Sequence, residues 1–121
     1  MDWKFSGSRP VYLQIMEQIR MAVISGEYGP GQRIPPVREL AFRAGVNPNT
    51  MQRALWELEQ EGLLVADTTG RWVTEDGEIL QQMRQQMVQQ TLRTCAQQLR
   101  GVGLSMHEAV TLLLELEKEG V

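Results

Sequence analysis

The chain has one cysteine, Cys95, and one histidine, His107. A lone thiol excludes an intramolecular disulfide, and one histidine with one distant cysteine cannot build a metal site. His107 reads as a solvated side chain. Cys95 reads as a small buried apolar residue, with only Arg93 and Arg100 near it in sequence to support a redox role. No apolar run approaches the ~18 residues that a membrane span needs. The opening MDWKFSGSRP lacks a basic segment followed by an apolar one, so it does not read as a signal peptide, and a cytoplasmic protein is expected. There is no Gly-rich phosphate loop, no Ser-His-Asp set and no Cys-His set. Neither an enzyme nor a cofactor is expected.

Lysine is also scarce. Of twelve basic residues only Lys4 and Lys118 are lysine, and the rest are arginine, the side chain suited to bidentate contacts with phosphate and guanine. What is present is otherwise ordinary for a soluble globular chain of 121 residues: 42% hydrophobic and 22% charged. The net charge of −3 is unusual for a nucleic-acid binder, whose binding face should be basic. Its distribution is uneven. Between positions 33 and 53 stand Arg33, Arg38, Arg43 and Arg53 against the single acid Glu39. The acids gather at Glu57, Glu59 and Glu61 and towards the C-terminus. This pattern predicts weak non-specific nucleic-acid affinity and reliance on a few placed contacts.

The most informative stretch is Ala41 to Leu64. It predicts a short helix, a tight turn at Gly45-Val46, and a second helix with Asn47 as N-cap and Pro48 at its first position. Met51, Ala54, Leu55 and Leu58 form an apolar stripe at helical spacing. The opposite face carries Asn49, Gln52 and Arg53. Such a helix suits the DNA major groove, where Arg reads guanine and Asn or Gln reads adenine. The layout is that of a helix-turn-helix.

Around this core, residues 1–8 read as an extended arm. A helix is expected from Pro10 to about Ser25, with Ile15, Ile19, Ala22 and Val23 inward, ended by the GEYGPG cluster at 26–31. Gln32-Arg33-Ile34 reads as a short strand. A second helix runs from about Pro36 to Ala44, with Val37, Leu40 and Ala41 inward and Gly45 as a left-handed cap. The third runs from Pro48 to about Glu61. Leu63-Leu64-Val65 and Arg71-Trp72-Val73 read as two strands joined at Asp67–Gly70. From Asp76 to Arg100 eight glutamines accompany an irregular apolar face of Leu80, Met83, Met87, Leu92, Cys95 and Leu99. Ser105 and Glu108 make a capping box for a last helix with Val110, Leu113, Leu114 and Leu116. Two helices cannot bury both apolar faces alone, so they are expected to pack against a second copy. The expected fold is mainly α with a small β-wing: a winged helix-turn-helix over 1–75 followed by a two-helix C-terminal dimerisation module over 76–121.

Several motifs, in order and with matching gaps over residues 8–74, resemble the GntR family of bacterial transcription regulators, and within it the YtrA-type subfamily. Pro10-Val11-Tyr12-Leu13-Gln14-Ile15 resembles the family's P-x-Y-x-Q-I. Ile34-Pro35-Pro36-Val37-Arg38-Glu39-Leu40-Ala41 resembles L-P-S-x-R-x-L-A. Val46 to Ala54 (VNPNTMQRA) resembles V-N-P-N-T-V-x-x-A, and Glu61-Gly62-Leu63-Leu64 matches the entry to the wing. The short tail is similar to the YtrA type by length and pattern. The resemblance implies a homodimer on a palindromic DNA operator, usually a repressor. It places Arg38 at a phosphate-contacting position, and Asn49, Thr50 and Gln52 at the base- and backbone-facing start of the recognition helix. Two positions depart from the pattern. Pro36 replaces a capping Ser, which leaves one backbone N–H without its partner, at a cost of about 1 kcal/mol. The wing reads Thr69-Gly70-Arg71-Trp72-Val73 in place of G-x-G-T-F-V, with a single arginine.

The candidate DNA-binding residues are therefore Arg38, Asn47, Asn49, Thr50, Gln52, Arg53 and Arg71, each with a plainer alternative. Arg38 is either a phosphate anchor or a surface partner of Glu39 or Glu61. Asn49, Gln52 and Arg53 either read DNA or form a solvated face, and Thr50 either touches phosphate or supports the cap. Arg71 is either a minor-groove contact or a solvated strand residue. Trp56 lies on the outward side and is expected to pack against the arm, the tail or a partner subunit. Trp72 is expected in the wing core, and Met83 and Met87 at an interface. A tail of about 45 residues is too small to enclose a metabolite pocket of ~300 Å³ in one chain. A small-molecule effector would need a pocket between subunits. The rival to a DNA-binding regulator is a winged helix used for protein interaction without DNA contact.

Overall fold

The computed structural model describes residues 1–121. In order it contains α1 (Val11–Ile24), α2 (Val37–Ala44), α3 (Pro48–Gln60), β1 (Leu64–Asp67), β2 (Gly70–Val73), α4 (Gly77–Gly101) and α5 (Met106–Lys118). The helices start and stop close to where their sequence signals place them. Asn47 caps α3 with Pro48 at its first position. Gly45 closes α2 in the left-handed conformation at φ 69°, which glycine adopts without a Cβ penalty.

The chain divides into two compact units, Met1–Arg84 and Gln85–Val121. In the first, the inner stripes of three helices meet in one core. Ile15, Ile19, Leu40, Met51, Leu55 and Leu58 are its large, fully buried members, joined by Leu63 and Val73 from the wing. β1 and β2 pair antiparallel with Leu64 opposite Val73 and Asp67 opposite Gly70. The short strand expected at 32–34 is a single bridge, Arg33 to Trp72, supported by Ile34 N–H to the Arg71 carbonyl and Val73 N–H to the Gln32 carbonyl. The expected boundary at 75/76 marks where the chain turns into α4, but the compact unit extends to Arg84. Leu80 and Met83, in the first turns of α4, pack on the winged-helix core. Met83 is thus a core contact of the first unit, where interface packing was expected.

The arm is held by two glutamines one helical turn apart. The side chain of Gln14 accepts from Ser6 N–H at 2.8 Å and donates to the carbonyls of Ser6 and Arg9. Gln18 accepts from Lys4 N–H and donates to the Lys4 carbonyl. Each amide gives an extended backbone the donor and acceptor that a neighbouring strand would offer. This seats Trp3 and Phe5, stacked on one another, against the core.

In the second unit α5 begins at Ser105, whose hydroxyl accepts from Glu108 N–H at 3.1 Å. The expected capping box is half formed. The Glu108 carboxylate accepts from the Ser105 hydroxyl instead of the backbone N–H. Of the α5 residues only Ala109 is buried, and Val110, Leu112, Leu113, Leu114 and Leu116 are exposed in the single chain. Cys95, expected to be buried, is half-buried. No helix is long and apolar enough to cross a membrane.

Candidate nucleic-acid interface

Four buried residues of α3 (Met51, Ala54, Leu55 and Leu58) fix its roll against the core. That roll leaves Asn49, Gln52, Arg53 and Trp56 exposed, with Thr50 half-buried. The Asn47 side chain accepts from Asn49 N–H at 2.8 Å, so it satisfies one orphan donor of the first turn. Its role in the structure is to cap α3. Asn49 and Gln52 make no side-chain hydrogen bond within the chain, and their amide groups stay open to an outside partner.

The arginines around this helix differ sharply in freedom. Arg38, exposed in the first turn of α2, has no ion-pair partner. Glu39 pairs with Arg43 at 3.1 Å and Glu61 with Arg20, so neither acid proposed for Arg38 is available to it. The α2 N-terminus beside it has Pro36 as N-cap and no side-chain cap, as the departure from the family pattern predicts. Arg53 stacks on Tyr12 of α1, with its guanidinium carbon 3.7 Å from the ring centre. Arg71 is ion-paired with Glu59 of α3, both side chains less than one-fifth exposed. Arg71 is neither solvated nor free.

The wing turn is built around Asp67 and Arg33. The Asp67 carboxylate accepts from the Thr69 hydroxyl and N–H, both at 2.7 Å, and from Gly70 N–H. The Thr69 hydroxyl, followed by that residue's N–H, holds the Asp67 carboxyl below its usual range. Arg33 donates to the Thr69 carbonyl and lies over the half-buried Trp72 ring at 5.7 Å. Gly70 makes room for it: a Cβ there would stand 2.7 Å from Arg33 Nε. A cavity of about 390 Å³ lies between the wing turn and the start of α2, lined by Arg33, Pro35, Pro36, Val37, Asp67 and Arg71 among others. Sequence reasoning missed Arg33 and Tyr12. The signal for Arg33 was present in part: if 32–34 is a strand, alternation that turns Ile34 inward puts Arg33 on the opposite, outer face.

A capped helix with open amides, a free arginine at the neighbouring helix start, and a two-stranded wing define a winged helix-turn-helix DNA-binding protein. Residues 11–73 match the family of bacterial regulatory proteins named for gntR. The chain is 35% identical over 109 residues to the helix-turn-helix transcriptional regulator YhcF of Bacillus subtilis, covering 89% of this chain and 90% of that one. It is 44% identical over 57 residues to the transcriptional repressor YtrA of the same organism, covering 47% of this chain and 44% of that one. A GntR-family transcriptional regulator from Listeria monocytogenes has a similar structure, with TM-score 0.82 and 29% identity over 92% of this chain and 98% of the other. The DNA-binding domain of AraR, solved with operator ORX1, matches 61% of this chain and 96% of its own, with 30% identity and TM-score 0.56. The chain belongs to the GntR family of bacterial regulatory proteins and is a DNA-binding transcriptional regulator of the helix-turn-helix type.

Proposed function

We propose that this chain is a repressor that binds an inverted-repeat operator as a homodimer in the cytoplasm and has no catalytic activity. The observation that carries the reading is the pairing of an open recognition face with one free cation. Asn49 and Gln52 have no partner within the chain, and Arg38 stands unpaired beside an uncapped helix start. A helix N-terminus with a free guanidinium suits a phosphate. Asn49, Gln52 and Arg53 then read base edges, while Thr50 supports the backbone contact. Asn47 serves the interface by holding the first turn of α3 in place. The Arg71–Glu59 pair gives Arg71 the task of seating the wing on α3, so any minor-groove contact it makes is secondary. The exposed leucines of α5 support a second copy as partner. Two copies place two recognition helices in successive major grooves. A small-molecule effector, if one acts, would bind between subunits and alter the spacing of those helices.

Fluorescence anisotropy with the protein's own promoter DNA and with random duplex, each at two salt concentrations, tests the reading. Tight binding to one inverted repeat, with a moderate salt slope, supports it. Indifference to every duplex would favour the protein-interaction use. Solution sizing that finds only single chains at working concentration would remove the homodimer.

A further inference from the structure

Arg53 stands on the exposed face of α3, yet it does not extend freely into solvent. Its guanidinium carbon lies 3.7 Å from the centre of the Tyr12 ring. An edge-on guanidinium would bring its leading nitrogen or nitrogens about 0.7–1.3 Å nearer the ring, inside van der Waals contact. The approach is therefore face to face. A planar cation held by its face keeps its in-plane N–H groups pointing outward. Those edge donors make the bidentate contact with guanine O6 and N7. Tyr12 itself is anchored: it is half-buried, packs on the core, and sits one residue inside α1. A flexible arginine is thereby presented from a fixed platform, and less of its conformational freedom remains to be lost on binding.

We propose that Tyr12 is a positioning residue for DNA recognition: its ring holds the Arg53 guanidinium face-on and so sets the base that Arg53 selects. The proposal rests on the base-reading role of Arg53 given above. The stack ties α1, which carries no reading residue of its own, to the specificity of α3. It also separates Arg53 from Arg38, whose open surroundings suit a phosphate contact that tolerates any sequence.

The test is selection of binding sites from randomised duplexes by the full-length protein and three variants, with thermal melting as the control for folding. Arg53→Ala identifies the base position that Arg53 reads. At that position, Tyr12→Leu lowers the preference by about fivefold, the scale of a well-placed cation–π contact, while the other positions keep theirs. Tyr12→Phe retains the preference. If Tyr12→Leu does not fold, Tyr12→pentafluorophenylalanine keeps the ring's outline but inverts its quadrupole, and the same selective loss is expected. Uniform weakening at all positions, or an unchanged preference in the Tyr12 variants, would overturn the proposal. If Arg53→Ala itself changes no preference, the base-reading role of Arg53 fails, and the stack has nothing to position.

Discussion

Arginines cluster around the recognition helix, but they do different work. Arg71 is held by Glu59, Arg43 by Glu39, Arg33 by the Thr69 carbonyl and Arg53 by Tyr12. Only Arg38 is left with a full set of unused donors. Arg38→Ala should weaken binding to operator and random DNA alike and lower the salt slope by about 1, read by anisotropy titrations at several salt concentrations. Asn49→Ala should instead relax preference at one base by ~1–3 kcal/mol. Equal losses on both DNAs would contradict that role. For Arg71 a stability effect is expected. A double-mutant cycle of Arg71→Ala with Glu59→Ala should give a coupling of about 1 kcal/mol in urea unfolding. These assignments were only partly legible in the sequence. Arginine at 38 and 53 was visible, but charge counting cannot say which arginine has a partner. That depends on acids such as Glu59 and Glu61, brought near by the fold.

At the scale of elements, α3 is positioned by its buried stripe and the wing by its turn. Leu55 is fully buried, and Leu55→Ala should cost about 2–5 kcal/mol, seen as a lower urea midpoint. The wing turn should respond to pH. Its Asp67 carboxyl sits below the usual range because the Thr69 hydroxyl and backbone N–H donate to the ionised form. A depressed folded pKa contributes stability above the ordinary aspartate value of about 3.9, and that stability is lost as pH falls through the folded value. The Thr69 and Gly70 amide resonances should therefore shift together in acid, and Asp67→Asn should abolish that transition. The helix ends, the inner stripes and the hairpin were legible, because capping residues and periodicity act locally. The arm's seating by Gln14 and Gln18 was not, since a glutamine on a mostly apolar face carries no signal of what it will bond.

At the scale of the whole molecule, the exposed leucines of α5 raise the question of a partner. In one chain, Val110, Leu112, Leu113, Leu114 and Leu116 are all open to solvent, and large apolar side chains left exposed together on one element mark an interaction surface. Leu113→Asp with Leu116→Asp should shift sedimentation from dimer to monomer. It should also lower operator affinity far more than affinity for a single half-site, because the gain from linking two half-sites is lost. A monomeric parent protein, or a double variant that still sediments as a dimer, would contradict this use of α5.

The amino-acid sequence by itself determined the helices, their caps, the inward faces and the winged architecture. Each follows from interactions between residues a few positions apart, and from periodicities that must agree with one core. Only the tertiary structure decided which arginines are free, that Arg33 braces the wing, that Tyr12 carries Arg53, and that Leu80 and Met83 belong to the first unit. Apart from the Arg43–Glu39 pair, which sits one helical turn apart, those outcomes join residues from 12 to 41 positions apart, and no local pattern encodes the meeting of a given charge with one acid, ring or carbonyl among several.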